Sequence, residues 1–239
     1  MADLSGRVAI ITGAAGNLGQ ALSHAFMGAG ARLVLVDRAG NEHFSTLYPH
    51  LEGSADAHFA GAVDLGDSVA VEAMVAEAIG RFGHVDILIN AAGGYRGDKP
   101  THEAPLDDWE VMFNMNLRTA LVTSRALSPH MIERGRGKIV NVAARAALQG
   151  GARIAAYSAS KAAVIRLTES MSAELKTSGI NVNCVLPSTI DTPPNRQAMP
   201  RADTRKWVSP EALAEVILFL ASDAARAIHG AAIPVYGIG

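Results

Sequence analysis

Short apolar runs rich in Val, Ile and Leu recur along the whole chain and are separated by longer, mixed segments. A run without polar alternation is typical of a strand that is covered on both faces, as in a parallel sheet. Seven runs therefore predict buried strands, at residues 8–11, 33–36, 58–63, 85–89, 138–142, 180–186 and 231–236.

The segments between these runs carry apolar residues at the three- and four-residue spacing of amphipathic helices. This spacing predicts helices over residues 20–28, 67–81, 106–134, 155–178 and 210–222, and a further short helix within 40–54. Pro129 is expected to kink or divide the third of these helices. Residues 187–200 hold four prolines and are predicted to be mostly loop, and residues 195–206 to form a mobile lid.

Strands and helices alternate from one end of the chain to the other, with no linker and no internal repeat. Alternation of this kind predicts an α/β fold, built on a doubly wound parallel sheet of about seven strands with helices on both faces. We expect one domain spanning residues 1–239.

Composition narrows the range of partners. The chain is 49% hydrophobic and 18% charged, with a formal net charge of -2 and no basic block, so we expect no nucleic-acid partner. No apolar run approaches the roughly 20 residues that span a bilayer, and no signal-peptide pattern opens the sequence. The single Cys184 excludes an internal disulfide, and the eight histidines lack metal-ligand spacing. A cytoplasmic protein without a metal site or a membrane partner is expected.

A glycine-rich turn follows the first predicted strand and precedes a helix. Such a turn lets a phosphate approach backbone amides at the positive end of the helix dipole, and its residues are Gly13, Gly16, Asn17, Leu18 and Gly19. Asp37 ends the second strand, where a carboxylate accepts hydrogen bonds from the ribose of NAD. Its charge disfavours the 2′-phosphate of NADP, so NAD(H) is favoured over NADP(H), although the adjacent Arg38 keeps NADP(H) open. The alternative is a structural turn that binds nothing.

Tyr157 and Lys161 stand four residues apart in a predicted helix, so their side chains project from one face. A neighbouring ammonium is expected to lower the pKa of a phenol, and a tyrosine tuned in this way can pass a proton at neutral pH. Taken alone, the spacing favours a packed tyrosine beside a lysine stem, and the motifs elsewhere in the chain give it its functional weight.

Together these motifs resemble the short-chain dehydrogenase/reductase family over nearly the whole chain. The family turn is matched by Thr12, Gly13 and Gly19, with Asn17 in place of its middle glycine. Further matches follow in the family's order: Asp64 after the third strand, the segment Asn90, Ala91, Ala92 and Gly93 after the fourth, Asn116, the Tyr157–Lys161 pair, and the segment with Pro187, Ile190 and Thr192.

The resemblance implies a Rossmann fold and hydride transfer between a nicotinamide and a small carbonyl, alcohol or conjugated C=N substrate. It implies that Tyr157 gives or takes the proton, that Lys161 holds the nicotinamide ribose, and that Asn116 anchors a water. The implied cofactor contacts are Asp64, Leu65, Asn90, Ala91, Ala92, Gly93, Pro187, Ile190 and Thr192. Asn90 could instead tie strands together, Asp64 cap a strand, and the proline-rich segment form only turns. By analogy, the long helices pair subunits in a homo-dimer or homo-tetramer.

One departure from the family concerns Ala144, which stands where a serine hydroxyl is usual. Such a donor typically contributes about 100- to 1,000-fold in rate to oxyanion chemistry. Segments around Ala144 and Pro187 are similar to dihydropteridine reductases, which lack this serine. A quinonoid pterin reductase and a dinucleotide-binding sensor without catalysis are therefore alternatives. Arg145, next to Ala144, is expected to be solvated.

Overall fold

Residues 2–239 are described by a computed structural model, and in this range seven strands form one sheet. They are β1 (Val8–Thr12), β2 (Arg32–Val36), β3 (Ala57–Ala60), β4 (Ile87–Asn90), β5 (Gly137–Val142), β6 (Ile180–Pro187) and β7 (Ala232–Val235). The strand order is β3-β2-β1-β4-β5-β6-β7, and every neighbouring pair is parallel. The order reverses between β1 and β4, so a crevice opens at their carboxyl ends, where α/β proteins bind ligands.

Helices cover both faces of this sheet. They are α1 (Asn17–Gly28), α2 (Asn41–Leu47), α3 (Ser68–Phe82), α4 (Leu106–Phe113), α5 (Thr119–Arg134), α6 (Ala155–Leu175), α7 (Pro193–Ala198) and α8 (Pro210–Ala221). Successive residues of a strand point to opposite faces. Accordingly, Ala9 and Ile11 of β1 join a core formed with α1 and α8, whereas Val8 and Ile10 join a core formed with α3, α5 and α6. The doubly wound parallel sheet predicted from the sequence is confirmed.

The third strand is shorter than the sequence predicted. It ends at Ala60 rather than at residue 63, because Ala62 adopts a left-handed conformation with φ of 59°. The amides of Ala62 and Val63 donate instead to the carbonyls of Ala39 and Asp37, at 2.9 and 3.1 Å. The segment after β3 is thereby tied to the loop that carries Asp37.

The predicted long helix over 106–134 is divided, but not at its proline. A π-helical turn, Asn114–Arg118, separates α4 from α5, and α5 continues through Pro129. A proline removes one backbone donor and so frees the carbonyl four residues earlier. That residue, Arg125, is exposed, so water can satisfy the freed carbonyl.

The proline-rich segment also contains more secondary structure than predicted. Within residues 187–200, where loop was expected, two prolines open the short helix α7. Proline is tolerated in the first turn of a helix, since the amides there have no intrahelical partner. The Thr192 hydroxyl accepts from the Asn195 amide at 3.4 Å and caps the helix. The mobility of residues 195–206 stays a prediction.

The turn between β1 and α1 depends on two glycines that have no room for a side chain. Gly13 has φ of 69°, and a Cβ there would lie 2.9 Å from the Cα of Ala92. A Cβ on Gly19 would collide with the carbonyl oxygen of Gly13 and lie 2.6 Å from the Cα of Ala14. The first turn of α1 therefore packs directly on the backbone that follows β1.

We expect Gly19→Ala to lower the free energy of unfolding by roughly 1–3 kcal/mol, as overpacking of a closed site does. The matched control is Gly28→Ala in the same helix, because a Cβ there meets nothing within 4 Å. That control should be neutral or stabilising by up to about 1 kcal/mol. Urea denaturation of the two variants tests this difference, and equal effects would contradict the packing of the turn.

Candidate active site

The side chain of Lys161 is buried at the carboxyl edge of the sheet. It lies near the start of α6, is 5% exposed, and its Nζ donates to the carbonyl oxygen of Val142 at 2.8 Å. Val142 is the last residue of β5, so the strand end and the helix hold one ammonium between them. Tyr157, one helical turn earlier, is half-buried on the same face of α6.

Asn116 connects three segments around this pair. It is 2% exposed and lies in the π-helical turn between α4 and α5. Its Oδ1 accepts from the Gly94 amide at 2.9 Å, and its Nδ2 donates to Ser160 Oγ at 3.0 Å. Ser160 Oγ in turn donates to the carbonyl of Tyr157 at 2.8 Å. The loop after β4 and the first turn of α6 are thus fixed through one side chain.

Gly93 packs closely against both Asn116 and Lys161. A Cβ at this position would lie 2.8 Å from Asn116 Oδ1 and 3.2 Å from Lys161 Nζ. The first distance is shorter than any ordinary contact, so a side chain here would displace the asparagine or the lysine. The structure therefore brings together Tyr157, Lys161, Asn116 and Gly93, four of the residues that the sequence singled out.

The pKa of Tyr157 shifts in the opposite direction to the one expected from the sequence. Burial raises the pKa of Tyr157 to about 12, with a further contribution from the neighbouring Tyr95, whereas the sequence predicted a lowered value. Burial also lowers the pKa of Lys161 to about 8. The expectation of a lowered phenol pKa was wrong for this state of the protein, because desolvation disfavours the charged form of each group.

The sequence reasoning missed Tyr95, which packs against Tyr157. The two rings meet edge to face, with centroids 5.1 Å apart and planes at 74°. Tyr95 is 58% exposed, which is unusual for a large aromatic residue. The available signal was an aromatic residue just after the two glycines of the loop that follows β4, where a parallel sheet presents its carboxyl edge.

The position of the absent serine is buried. Ala144 follows β5, is 5% exposed, and offers no hydroxyl. The next residue, Arg145, is exposed as predicted, yet it is not free: its guanidinium lies 4.9 Å from the ring centroid of Tyr236, and Nη1 donates to the carbonyl of Gly239 at 3.3 Å. The end of the chain thereby lies beside the loop after β5.

The glycine-rich turn and Asp37 lie together at the carboxyl ends of β1 and β2. Gly16 caps α1 without a side-chain hydrogen bond, and Asn17, Leu18 and Gly19 form the first turn of α1. Asp37 accepts from the amide of Ala15 at 3.1 Å and from that of Ala39 at 3.2 Å. A carboxylate and the start of a helix thus face the same crevice.

The other predicted cofactor residues of the first half of the chain follow β2 and β3. Arg38 and Asp64 pair with each other at 3.6 Å, and both side chains are exposed. Asp64 Oδ1 also accepts from the Gly66 amide at 2.9 Å, and Leu65 is buried. Asp64 therefore closes a turn after β3 and remains open to solvent on one side.

The side chain of Asn90 has a structural role. Its Nδ2 donates to Ser124 Oγ and to Asn141 Oδ1 at 3.0 and 2.8 Å, and its Oδ1 accepts from Thr123 Oγ1 at 2.6 Å. These bonds tie β4 to α5 and β5, as the alternative interpretation of this residue held. Only the backbone of Asn90 is left to line the crevice.

Thr12 fixes the loop that follows β4. Its Oγ1 accepts from the amides of Ala91 and Ala92, at 3.1 Å each, and donates to the Ile89 carbonyl at 3.2 Å. Thr12 belongs to the family motif, but its bond to this neighbouring loop was not foreseen. The end of β1 and the loop after β4 are consequently held together by one side chain.

Pro187, Ile190 and Thr192 lie at the end of β6 and in the segment that follows it. Pro187 ends β6, Ile190 bridges to Val208, and Thr192 caps α7. Pro187 pairs with Val235 of β7, whereas Ile190 and Thr192 make their contacts within the segment after β6.

Comparison with known proteins identifies the family. The model of the family described as short chain dehydrogenase matches residues 7–203, which is most of the chain. The chain belongs to the short-chain dehydrogenase family. It is accordingly an oxidoreductase, and the resemblance drawn from the sequence motifs is confirmed.

Relatives of this short-chain dehydrogenase match it over almost their full length. The (2S)-[(R)-hydroxy(phenyl)methyl]succinyl-CoA dehydrogenase subunit BbsD of Thauera aromatica is 37% identical, over 98% of this chain and 96% of its own. The crystal structure of an NAD⁺-bound xylitol dehydrogenase superposes with a TM-score of 0.88 at 26% identity, covering 98% of this chain and 99% of that one. A gluconate 5-dehydrogenase from Burkholderia cenocepacia J2315, in complex with NADP and tartrate, gives 0.89 at 31% identity, with coverage of 98% and 95%.

Two further observations concern what this short-chain dehydrogenase lacks between residues 2 and 239. No group of three or more His, Cys, Asp or Glu side chains in that range is placed to hold a metal ion. Among the helices of the same range, none combines the length and apolar character needed to cross a membrane.

We expect Lys161→Met to change how stability depends on pH. The folded-state pKa of Lys161, about 8, lies below the unfolded value of about 10.4. The unfolded wild type therefore holds more protons between these values, so wild-type stability rises with pH in this window. The variant should be more stable than wild type at pH 7, by at most about 3 kcal/mol, and this advantage should shrink toward pH 10.

Urea denaturation from pH 7 to pH 10 measures this effect. Lys176→Met is the control, because that lysine is exposed on the turn after α6 and its removal should leave the pH dependence unchanged. An advantage of Lys161→Met that is constant from pH 7 to pH 10 would contradict a desolvated ammonium at this site.

Proposed function

We propose that this protein is an NAD(P)-dependent oxidoreductase that moves a hydride between a nicotinamide and a carbonyl compound or the corresponding alcohol. The observation that carries the proposal is the Tyr157–Lys161 pair, half-buried and buried respectively, at the carboxyl edge beside the strand-order reversal. A phenol at that place can exchange a proton with a substrate oxygen, which hydride transfer to or from a carbonyl requires.

The residues of the crevice suit a nicotinamide dinucleotide. Gly13 and Gly16 carry no side chain in this turn, and α1 begins there without a side-chain cap, as suits a pyrophosphate. When bound, the nicotinamide supplies or accepts the hydride. Gly93 leaves space above Lys161 Nζ, so that the lysine can hold ribose hydroxyls, as the family resemblance implies.

Asp37 supports a preference for NAD(H). Its carboxylate is held by two backbone amides and stays at the crevice, where it would accept from ribose hydroxyls and repel a 2′-phosphate. Arg38, the residue that could accommodate the phosphate, is paired with Asp64, although exposed pairs of this kind are weak. The solved relatives include one NAD⁺ complex and one NADP complex.

Because the pKa of Tyr157 is raised, the direction of proton transfer that this residue favours depends on pH. At neutral pH the phenol is protonated, so it is ready to donate a proton to a carbonyl oxygen during reduction. Oxidation of an alcohol needs the phenolate, whose population grows as pH rises. Asn116 acts as a positioning residue, because it fixes the Gly94 amide and, through Ser160, the helix turn that carries Tyr157.

The substrate class that we favour is a small hydroxy compound or its ketone. The three relatives described above are named as dehydrogenases of a hydroxy-substituted succinyl-CoA, of xylitol and of gluconate. Those names describe the relatives and not this chain. Which carbonyl compound is used is therefore a question for screening.

A homo-dimer or homo-tetramer is part of the same proposal. Two large apolar side chains of α5, Leu121 and Ile132, are 42% and 46% exposed. The family resemblance implies, by analogy, subunit contacts on the long helices, here α5 and α6, and these side chains would be covered there.

We expect Tyr157→Phe to reduce turnover by roughly 100- to 10,000-fold while NADH binding stays nearly unchanged, because only the hydroxyl is lost. Steady-state NADH oxidation with a panel of ketones measures turnover, and fluorescence titration with NADH and NADPH measures binding. Tyr95→Phe is the matched control, because it keeps the edge-to-face ring contact and should retain turnover within about tenfold.

Two outcomes would contradict the proposal. Unchanged turnover in Tyr157→Phe would remove this residue as the proton donor. A wild-type protein that binds NADH yet turns over no ketone, imine or quinonoid compound would instead support a dinucleotide-binding sensor.

A quinonoid dihydropterin reductase is the second candidate, and buried Ala144 is the observation that favours it. Hydride addition to a conjugated C=N system ends with protonation at nitrogen, so less oxyanion develops and a serine donor is less needed. The first candidate would then be the poorer enzyme, since ketone reduction gains most from such a donor.

We expect Ala144→Ser to raise ketone turnover, by as much as about 100-fold, and to change dihydropterin turnover little. Ala143→Ser is the control, because the neighbouring residue is also buried and its side chain points to the other side of the extended backbone. NADH oxidation with each substrate measures both effects. Equal responses of the two substrates would refute this explanation of the missing hydroxyl.

A further inference from the structure

A second cavity lies at the opposite edge of the sheet from Tyr157. Its volume is about 350 Å³, and it is lined by residues at the amino ends of β4, β5 and β6, among them Ile87, Gly137 and Asn181. In a parallel sheet these strand ends lie at the edge away from the cofactor crevice. The cavity is therefore separate from the site described above.

Basic side chains dominate the lining of this cavity. Five cationic side chains and two carboxylates line it, a formal excess of three positive charges: Arg7, Arg136, Lys138, Lys176 and Arg226 against Asp86 and Asp223. The whole chain has a formal net charge of -2, so this concentration of positive charge is local.

Both carboxylates are already engaged. Asp86 is 2% exposed and accepts from the Val8 amide at 3.0 Å and from Arg136 at 2.7 Å. Asp223 pairs with Arg7 at 2.9 Å. The charges of Arg7 and Arg136 are therefore largely balanced, and Asp86 is held by the backbone as well as by arginine.

The remaining three cations have no such balance. Across residues 2–239, no carboxylate lies within 4.0 Å of a charged nitrogen of Lys138, Lys176 or Arg226. Lys138 is half-buried, and its Nζ is held by a neutral acceptor, Asn181 Oδ1, at 2.7 Å. Its ammonium thus lines the cavity with a neutral amide oxygen, rather than a carboxylate, as its hydrogen-bond acceptor.

The electrostatics of Lys138 agree with a positive charge that the nearby carboxylates balance only in part. Burial lowers its pKa, the charge of Asp223 opposes that shift, and the charges of Arg7 and Arg226 add to it. A bound anion would restore the favourable charge that this ammonium lacks.

We propose that this cavity binds a small, multiply charged oxyanion with phosphate or carboxylate groups. Guanidinium groups and ammonium groups are the usual protein partners of both chemistries. The volume lies near the lower end of the roughly 300–1,000 Å³ of ligand pockets, which suits a small ion rather than a nucleotide. Lys138, Lys176 and Arg226 are the groups that hold it.

Isothermal titration calorimetry at constant ionic strength tests this site, with inorganic pyrophosphate and citrate as the probes in separate titrations. We expect wild type to bind at least one probe, and Lys176→Met and Arg226→Met each to weaken that binding by about tenfold or more, the usual cost of losing a charged partner. Both side chains are exposed, so these variants should remain folded. Tighter binding of pyrophosphate indicates a phosphate ligand, and tighter binding of citrate a carboxylate ligand.

Arg125→Met is the matched control, since it removes an exposed arginine from α5, away from the cavity. Its affinity for the probe should stay within about twofold of wild type, well short of one tenfold step. The proposal is overturned if neither probe binds wild type. It is equally overturned if the cavity variants and the control bind alike, because the anion would then sit elsewhere, for instance at the glycine-rich turn.

Discussion

The active end of this protein depends on keeping one ammonium group out of water. Lys161 has the Val142 carbonyl as its hydrogen-bond acceptor, and that carbonyl is available only because β5 ends there. Burial of an ammonium is costly unless such a partner exists. The position of this ammonium group consequently constrains three other features. They are the register of β5 against β4, the glycine at position 93 and the position of Asn116.

The elements that depend only on short stretches of sequence were predictable. Apolar runs gave six of the seven strands within a residue or two of their bounds, and the order of turn, helix, strand and acid placed Gly13 and Asp37 at one crevice. Each of these follows from a short-range rule: burial of a strand on two faces, or a turn that only glycine can make. Tyr157 and Lys161 were found for the same reason, since four residues make about one helical turn.

What could not be predicted depends on contacts between distant segments. The direction of the Tyr157 pKa shift is set by how deeply the phenol is buried and by Tyr95, more than 60 residues away in sequence. The bonds of Thr12 to Ala91 and Ala92, and those of Asn90 to Thr123, Ser124 and Asn141, require the sheet order to be known. The early end of β3 depends on a left-handed Ala62, a conformation that alanine rarely adopts.

The widened turn at residues 114–118 has a geometrical consequence. A π turn adds one residue to the helical path, so the segment after it is rotated by about 100° relative to an uninterrupted helix. Because of that rotation, α4 packs against α6 and α5 packs against α3. The two parts of one helical segment thus contact helices on different sides. Deletion of a single residue from this turn would restore regular α-helical winding. Every later side chain of α5 would then point in a new direction, and Asn116 would be displaced from both Gly94 and Ser160.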